Sequence, residues 1–411
     1  MISTAVTLID KINHDLNVKG ISNREIAQML QVSHTTINAC LSGEREFDFS
    51  LLSKILYILY EEDYEFRMQQ LRLFCATTER KSNLRMAMEY AHLIGDEKFQ
   101  LELIESEEKS SNWLNQQFAH IYKLLYQRSV NELSNEEYYE KVQKIKIPSI
   151  NQNLKRLKIK NRKKNKSAKE VLAKVYAYFD LGNAKLVLEA IKPIIPILNK
   201  ITNKFLKHTY NMRTKEMIAS SLHKENLVQE SREICFELIA MCNGVIKTET
   251  KVENNYFTFP KATAYGIIGE TFILSKTTYK EALYNLKTGL EIIGDPYNHK
   301  MLSRKELFEN TVDFLKLRCK IDLENIKPKN PEEACYLLIQ LGRKQEAIQR
   351  INEMRSENNK PSGFLLYYLG LATGDSIWME QSLLEFERNN NFFYAQLPKE
   401  SLKQYNEERR D

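Results

Sequence analysis

Seven polar side chains cluster near the amino terminus, and their types suit contact with nucleic acid. An Asn amide can form two hydrogen bonds with an adenine edge, and a Thr can donate to a base or pack on a thymine methyl. Hydroxyl and guanidinium groups beside them suit phosphates, which fix register without reading sequence. The residues expected to face base edges are His34, Thr35, Thr36 and Asn38, and those expected to hold phosphates are Ser33, Ser42 and Arg45.

A predicted pair of helices positions these side chains, and residues 22–42 read SNREIAQMLQVSHTTINACLS. Ser22, followed three residues later by Glu25, predicts a capping box that begins the first helix, and Ser33 is the expected N-cap of the second. The pattern is similar to the helix-turn-helix of the Cro and repressor group, whose second helix enters the major groove by its amino-terminal end. The apolar positions expected to join the two helices are Ile26, Ala27, Leu30, Val32, Ile37 and Leu41.

The turn of the motif departs from the usual pattern at one position. Gln31 stands where glycine is common because φ is positive there, and a non-glycine residue in that region costs about 1–2 kcal/mol. Residues 1–60 hold five basic and six acidic side chains, a balance that does not favour DNA. Two interpretations stay open: a head that reads DNA as a dimer, or a degenerate motif kept for packing or protein contact.

The composition predicts a chain built of helices. Of 411 residues, 43% are hydrophobic and 28% charged, while only 13 are glycine and 9 are proline. β-Sandwiches, barrels, propellers and doubly wound α/β folds need more of these residues for their turns and strand ends. The chain begins without a secretory apolar stretch, its apolar windows are too short to span a bilayer, and its six cysteines are scattered. We therefore expect a cytoplasmic protein without a membrane segment.

From about residue 61 onward, apolar helical segments alternate with polar turns. Gly342 and Gly374, in two such turns, are 32 residues apart, near the tetratricopeptide period of about 34. Stacked helix pairs form a superhelix whose concave surface commonly binds extended peptides. The sequence predicts an all-α fold, with a helix-turn-helix domain at 1–62 and a tetratricopeptide-like repeat solenoid at 63–391. Segments that show the helix-pair pattern are 176–191, 217–234, 271–293, 336–351 and 367–386.

A basic run lies inside the predicted repeat domain. Residues 154–169 hold nine Lys or Arg and no acid, which exceeds the net charge of +6 for the whole chain. The run could lie beside a phosphate backbone, where each neutralised phosphate adds salt-dependent affinity. It could equally be a solvated helix face or a linker, since no aromatic side chain interleaves the charges as a base-stacking surface would require.

The sequence carries no signature of catalysis or metal binding. Its seven histidines form no H-E-x-x-H pair, and the G-x-G-x-x-G, P-loop and G-x-S-x-G patterns are absent. Gly266 and Gly269 fall within a predicted helix, where a small residue permits close packing. We expect no catalytic residue, no metal site and no cofactor.

The order of parts, a helix-turn-helix followed by tetratricopeptide-like repeats, resembles the peptide-sensing regulators grouped with Rap, PlcR and PrgX. Within that group the chain resembles the arbitrium receptors (AimR) of SPbeta-type Bacillus phages along almost its full length. Of the stretches that carry the resemblance, the tract LKTGLEIIGDPY at 286–297 is the most specific to the family, because the periodicity of helical repeats does not require these residues. The other stretches that carry the resemblance are 49–75, AMEYAH at 87–92, YNMR at 210–213, GFLLYYLGL at 363–371 and FYAQLP at 393–398.

The resemblance implies a homodimer that binds double-stranded operator DNA and a short secreted peptide of about six residues. Peptide binding would alter DNA binding in the bacterial host cell, and so control the choice between lysis and lysogeny. Family members bind the peptide backbone with Asn side chains, and Asn211 and Asn310 match such positions, while Glu270 stands where related receptors carry Asn. Neighbours that could hold a peptide carboxylate or apolar side chain are Arg213, Lys261 and Tyr265. Residues 392–411 resemble the segment that caps the array and helps dimerise family members.

Two alternatives remain at the level of the sequence. In a Rap-like protein the amino-terminal helices would bind and inhibit a protein partner, and the helix-turn-helix would be vestigial. In a PlcR-like protein the chain would be a regulator of the bacterial host that acts at host promoters.

Overall fold

The structure, a computed structural model, describes residues 2–145, 168–246, 255–357 and 360–408. Within these ranges the chain forms α-helices joined by turns, with a short 3₁₀ segment at Lys276–Thr278 and no strand. This confirms the predicted all-α fold. Most of the basic run, residues 154–167, lies outside the described residues.

The structure contains the following helices in chain order. Those before the basic run are α1 (Ile2–Val18), α2 (Asn23–Met29), α3 (His34–Leu41), α4 (Phe49–Leu59), α5 (Tyr64–Thr77), α6 (Lys81–Ile94), α7 (Glu97–Glu108), α8 (Trp113–Ser129) and α9 (Asn135–Gln143). Those that come next are α10 (Ala168–Asp180), α11 (Ala184–Ile191), α12 (Ile194–Leu198), α13 (Lys204–Lys224), α14 (Val228–Asn243), α15 (Thr258–Glu270) and α16 (Tyr279–Ile293). The last are α17 (His299–Cys319), α18 (Pro331–Gln340), α19 (Lys344–Glu357), α20 (Gly363–Thr373), α21 (Ser376–Arg388) and α22 (Gln396–Glu408).

Local capping sets the bounds of the helices in the head, which comprises α1 to α4. Ser22 and Glu25 form the predicted capping box at the start of α2, and Ser33 Oγ accepts the Thr36 N–H at the start of α3. Gln31, between the two helices, has a φ of 56°, the left-handed value expected there. Of the predicted apolar positions, Val32 is half-buried and the others are buried, namely Ile26, Ala27, Leu30, Ile37 and Leu41.

The chain divides into two compact units. Unit one comprises residues 1–177, 193–214 and 238–261, and unit two comprises residues 178–192, 215–237 and 262–411. The head belongs to unit one, together with the helices up to α9. The carboxyl-terminal helices α16 to α22 belong to unit two.

Packing in unit two explains why the tract 286–297 contains glycine within a helix. A Cβ added to Gly289 in α16 would lie 2.8 Å from Phe308 Cε2, and one added to Gly266 in α15 would lie 2.1 Å from Phe308 Cε1. Distances this short are impossible for real side chains, so both positions need glycine for the buried Phe308 ring of α17 to fit. The close packing predicted at Gly266 is confirmed, and a Cβ at Gly269 would likewise meet Leu286 Cγ at 2.7 Å.

The predicted helix pairs are present, with one correction. Gly342 and Gly374 lie just after α18 and α20, where the chain leaves each helix. Their φ values of 78° and 71° are left-handed, which glycine adopts without strain. In the segment 271–293, however, the first residues are not a helix. They form turns after α15 ends at Glu270 and before the 3₁₀ segment. Thr271 and Thr278 hydroxyls bond to nearby backbone carbonyls there, which competes with helix formation.

None of the helices in the described ranges is long and apolar enough to cross a membrane.

Candidate functional site

The side chains predicted to approach DNA lie together on α3 and its flanks. All are exposed except Thr36, which is half-buried. The Thr36 hydroxyl lies 2.8 Å from Ser33 Oγ, and its backbone N–H donates to the same oxygen. Ser33 and Thr36 therefore close the first turn of α3, which leaves His34, Thr35 and Asn38 as the exposed base-facing candidates.

The phosphate candidates occupy both ends of α3. Ser42 is the C-cap of the helix, and its hydroxyl donates to the Ala39 carbonyl at 3.3 Å. Arg45 follows in the next turn, where its backbone N–H donates to the Ala39 carbonyl at 2.9 Å while its side chain is exposed. This placement leaves the Arg45 guanidinium accessible to an anion beside the helix.

Asn83 in α6 fixes the chain that leads from α3 into α4. Its Oδ1 accepts the Phe49 N–H at 3.1 Å, and its Nδ2 donates to the Phe47 carbonyl at 3.1 Å. The Asn83 side chain is fully buried, so water cannot replace these bonds. Sequence reasoning missed this residue because a polar residue in a helix gives no sign of a partner more than thirty positions away.

Three of the predicted peptide contacts belong to unit one. Asn211 in α13 is half-buried, with its Nδ2 3.9 Å from Met241 Sδ. Arg213, two residues on, is buried, and its Nε lies 3.9 Å from Glu89 Oε1. Lys261 in α15 is 1% exposed and its Nζ donates to Asn255 Oδ1 at 3.3 Å. The two cations therefore sit inside the protein and not on an open surface.

Glu89 in α6 is the centre of a buried polar cluster in unit one. Lys169 Nζ donates to Glu89 Oε2 at 2.9 Å, and the Tyr122 hydroxyl donates to the same oxygen. Burial lowers the pKa of Lys169 to about 8, although Glu89 opposes that shift. The expectation that the basic run faces solvent or phosphate is wrong for Lys169, its last residue, because this ammonium is enclosed with a carboxylate.

The other three predicted peptide contacts, Tyr265, Glu270 and Asn310, are half-buried in unit two. Glu270 Oε2 lies 3.6 Å from His223 Nδ1. Burial raises the pKa of Glu270 to about 7, although Arg304 and Lys224 oppose the shift. Burial, with the charge of Lys224, lowers the pKa of His223 to about 4. At neutral pH His223 is therefore neutral, while Glu270 readily takes up a proton.

The carboxyl-terminal segment packs on the same histidine. The His223 ring lies 4.2 Å from the Phe393 ring between centroids, and the Phe393 N–H donates to the Lys224 carbonyl at 3.2 Å. Phe393 and Leu397 are buried, so the start of the segment 392–411 is part of the core of unit two.

The fold and the arrangement of α2 and α3 define the class of the molecule as a helical-repeat protein with an amino-terminal helix-turn-helix. Residues 67–404 match the model of the family described as AimR transcriptional regulator-like, and the chain belongs to that family. The resemblance identified in the sequence is thereby confirmed.

Curated relatives come from Bacillus and its phages. The chain is 28% identical over 251 residues to the uncharacterized protein pXO2-35 of Bacillus anthracis, a match that covers 59% of this chain and 89% of the relative. It is 22% identical over 349 residues to the AimR transcriptional regulator of Bacillus phage phi3T, covering 84% of this chain and 83% of the relative.

Two solved structures share the fold. The selenomethionine form of phAimR matches with a TM-score of 0.67 at 18% identity, covering 97% of this chain and 96% of that one. The structure described as phAimR-Ligand matches with a TM-score of 0.66 at 21% identity, covering 88% of this chain and 98% of that one.

Proposed function

We propose that the chain is a peptide-responsive DNA-binding transcription regulator of a temperate phage or mobile element. It would control the choice between lysis and lysogeny in the cytoplasm of a bacterial host. The observation that carries the proposal is a capped α3 with exposed polar side chains at His34, Thr35 and Asn38, in a chain that belongs to the AimR transcriptional regulator-like family. Such a protein acts by binding, so the proposal assigns it no catalytic residue and no cofactor.

The DNA half of the proposal rests on α3. Its exposed amino-terminal turn presents His34, Thr35 and Asn38, which suit base edges in a major groove. Ser33, Ser42 and Arg45 suit the phosphates on either side. Because residues 1–60 hold one more acidic than basic side chain, specific binding needs two heads, and a homodimer held through residues 392–411 would supply them at the separation of two half-sites.

The peptide half rests on Asn211 and Asn310, which match family positions, on Glu270, which stands where related receptors carry Asn, and on three neighbouring side chains. Asn211 and Asn310 carry amides that can both donate to and accept from a peptide bond. Arg213 and Lys261 suit a peptide carboxylate, and Tyr265 an apolar side chain. A peptide that binds two shapes of the array with different affinity would shift their populations, and so the spacing or mobility of the heads.

A gel-shift experiment tests both halves. The DNA is the region upstream of the gene's own operon, and the ligand is a synthetic peptide matching the carboxyl-terminal residues of the small secreted product encoded just downstream. We expect specific binding at moderate salt whose affinity changes several-fold with the peptide. Absence of specific binding contradicts the DNA claim, and binding that the peptide leaves unchanged contradicts the regulation.

Alanine substitution of Thr35, Thr36 and Asn38 separates this proposal from a Rap-like interaction protein. A regulator loses operator binding and stays folded, whereas an interaction protein keeps its activity. The family match does not favour the Rap-like or PlcR-like alternative.

A further inference from the structure

Both described ends of the connection between α14 and α15 contact the head. Before the connection, Gln31 Nε2 in the helix-turn-helix turn donates to the Gly244 carbonyl at 3.2 Å. After it, the Asn255 N–H donates to the Tyr57 hydroxyl at 3.0 Å, and the Tyr256 hydroxyl lies 2.6 Å from Ser53 Oγ. Ser53 and Tyr57 are one turn apart on α4, so one face of that helix holds the residues that immediately precede α15.

These contacts are enclosed by aromatic rings. Ser53, Tyr57 and Tyr256 are all buried, and the rings of Tyr57 and Tyr256 meet edge to face with centroids 5.6 Å apart. Tyr256 also lies against Tyr90 of α6, at 5.8 Å between centroids. A buried hydroxyl has no water to replace a lost partner. The hydroxyl contacts of Ser53 and Tyr57 therefore hold the segment before α15 in one arrangement against α4. The start of α15 and α4 therefore move together.

Lys261 extends this contact to a predicted peptide-binding residue. Its ammonium donates to Asn255 Oδ1, while the backbone N–H of the same Asn255 donates to Tyr57. Asn255 is thus held on its side chain by Lys261 and on its backbone by α4. A carboxylate carries a full negative charge, so an ammonium is attracted to it more strongly than to a neutral amide oxygen. Lys261 is 1% exposed, so a peptide carboxylate would reach it only when the surrounding helices move apart, and would then compete with Asn255 for the ammonium.

We propose that Asn255 is a positioning residue. When a peptide carboxylate binds the Lys261 ammonium, Asn255 changes the placement of α4, and with it the placement of the head that carries α3. A peptide carboxylate that captures the Lys261 ammonium releases the Asn255 side chain. The first turn of α15 then relaxes, and the Tyr57 and Ser53 contacts carry that change to α4. The inference rests on the proposed function, because it assigns a path to the regulation of that same site.

The first test measures operator affinity with and without the synthetic peptide defined above, and takes the ratio of the two dissociation constants. Asn255→Ala and Tyr57→Phe should bring this ratio to within about twofold of unity while the peptide itself binds within about threefold of its wild-type affinity. Tyr60→Phe is the matched control, because it removes a hydroxyl that bonds to Asp15 inside the head and does not touch α15. It should keep the wild-type ratio. The proposal is overturned if Asn255→Ala and Tyr57→Phe keep it too.

The second test needs neither DNA nor peptide, and so separates failure of this path from failure of the proposed function. Hydrogen–deuterium exchange is followed at Phe49–Leu59 in full-length protein. Lys261→Met should speed exchange there by about threefold or more in the otherwise wild-type chain, and have no further effect in the Asn255→Ala background. If the chain shows this pattern but binds no operator, the path stands and the proposed function fails. If it binds operator and peptide but exchange at α4 ignores Lys261, the path fails and the proposed function stands.

Discussion

Asn23 in α2 donates its side-chain amide to Asn38 Oδ1 in α3 at 2.9 Å, so the two helices are joined at their exposed edge. The other end of the Asn38 amide, Nδ2, lies 3.4 Å from His34 Nδ1. Both bonds hold Asn38 in one orientation before DNA arrives. Because the groups are exposed, exchanging these bonds for an adenine edge costs little, since water already competes for them.

Substitution of the two asparagines should distinguish a residue that contacts a base from one that only supports the helices. Asn38→Ala should weaken specific DNA binding by about 1–3 kcal/mol, because it removes a two-bond base contact. Asn23→Ala should change DNA affinity by less than about 0.5 kcal/mol, since it removes only an exposed bond between side chains. Titration of both variants with the operator and with unrelated DNA checks this. Equal losses of DNA affinity in the two variants would mean that Asn38 only stabilises the helix pair and does not contact a base.

Gln31 should be replaceable by glycine with a gain in stability. At φ 56° a non-glycine residue is strained, and relief of that strain is worth about 1 kcal/mol. The change also removes the bond to the Gly244 carbonyl, an exposed contact worth about 0.5 kcal/mol. We expect Gln31→Gly to raise the free energy of unfolding by about 0.5 kcal/mol net.

Gln31→Ala is the matched control for that change. It loses the side-chain bond and keeps the strained backbone, so it should lower the free energy of unfolding by about 0.5 kcal/mol. Urea titration of both variants measures the two values. A loss of stability in Gln31→Gly as large as in Gln31→Ala would show that the backbone at this turn is not strained.

The head was predictable because its signals are local. Ser22 and Glu25 are three residues apart, so the sequence alone predicts that capping box, and it also predicts Ser33 as the N-cap of α3. The contact between Ser53 and Tyr256 joins residues 203 positions apart. No periodicity indicates it, because a serine on an amphipathic helix and a tyrosine in a turn are common without such a partner. Lys169 shows the same limit, since only the fold places Glu89 against it.

The peptide contacts were predictable only in part for the same reason. Arg213 and Lys261 were predicted as neighbours of the positions that the family resemblance assigns, but their burial depends on helices distant in sequence. Both cations are enclosed, and Lys261 already has Asn255 as an acceptor. Their role in binding therefore depends on partners that sequence spacing does not reveal.

The stability of the chain should depend on pH through Glu270. The folded pKa of about 7 lies above the usual 4.5, so the folded chain binds more protons than the unfolded chain between those values. The stabilisation is complete below about pH 4.5 and is lost as pH rises through 7. Glu270→Gln removes this dependence, so the variant should gain about 1–2 kcal/mol relative to the wild type between pH 5 and 7.5.

His223 provides the opposite dependence and hence the control. Its folded pKa of about 4 lies below the usual 6.5, so its effect on stability is lost as pH falls from 6.5 towards 4. His223→Gln should therefore flatten the acid side of the stability curve and leave the decline between pH 6.5 and 7.5 in place. Chemical unfolding at half-unit steps of pH measures both curves. An unchanged decline in Glu270→Gln would assign the titration to another group.

Removing Lys169 from the buried pair with Glu89 should cost far more stability than removing a lysine from an exposed pair, because it leaves a buried charge without its partner. Lys169→Met leaves the Glu89 carboxylate, which is fully buried, with the Tyr122 hydroxyl and the more distant Arg213. Loss of one partner of a buried pair costs about 3–5 kcal/mol, and the remaining contacts place the expected loss near the lower end.

Lys123→Met is the matched control. It removes a lysine paired to Glu108 at 2.8 Å, in which the two side chains are 44% and 35% exposed. Its loss should be below about 1 kcal/mol, since solvent screens exposed charges. Denaturant unfolding of the two variants in the same buffer compares them directly. Equal and small losses in the two variants would contradict the expected cost of leaving the buried Glu89 carboxylate without Lys169.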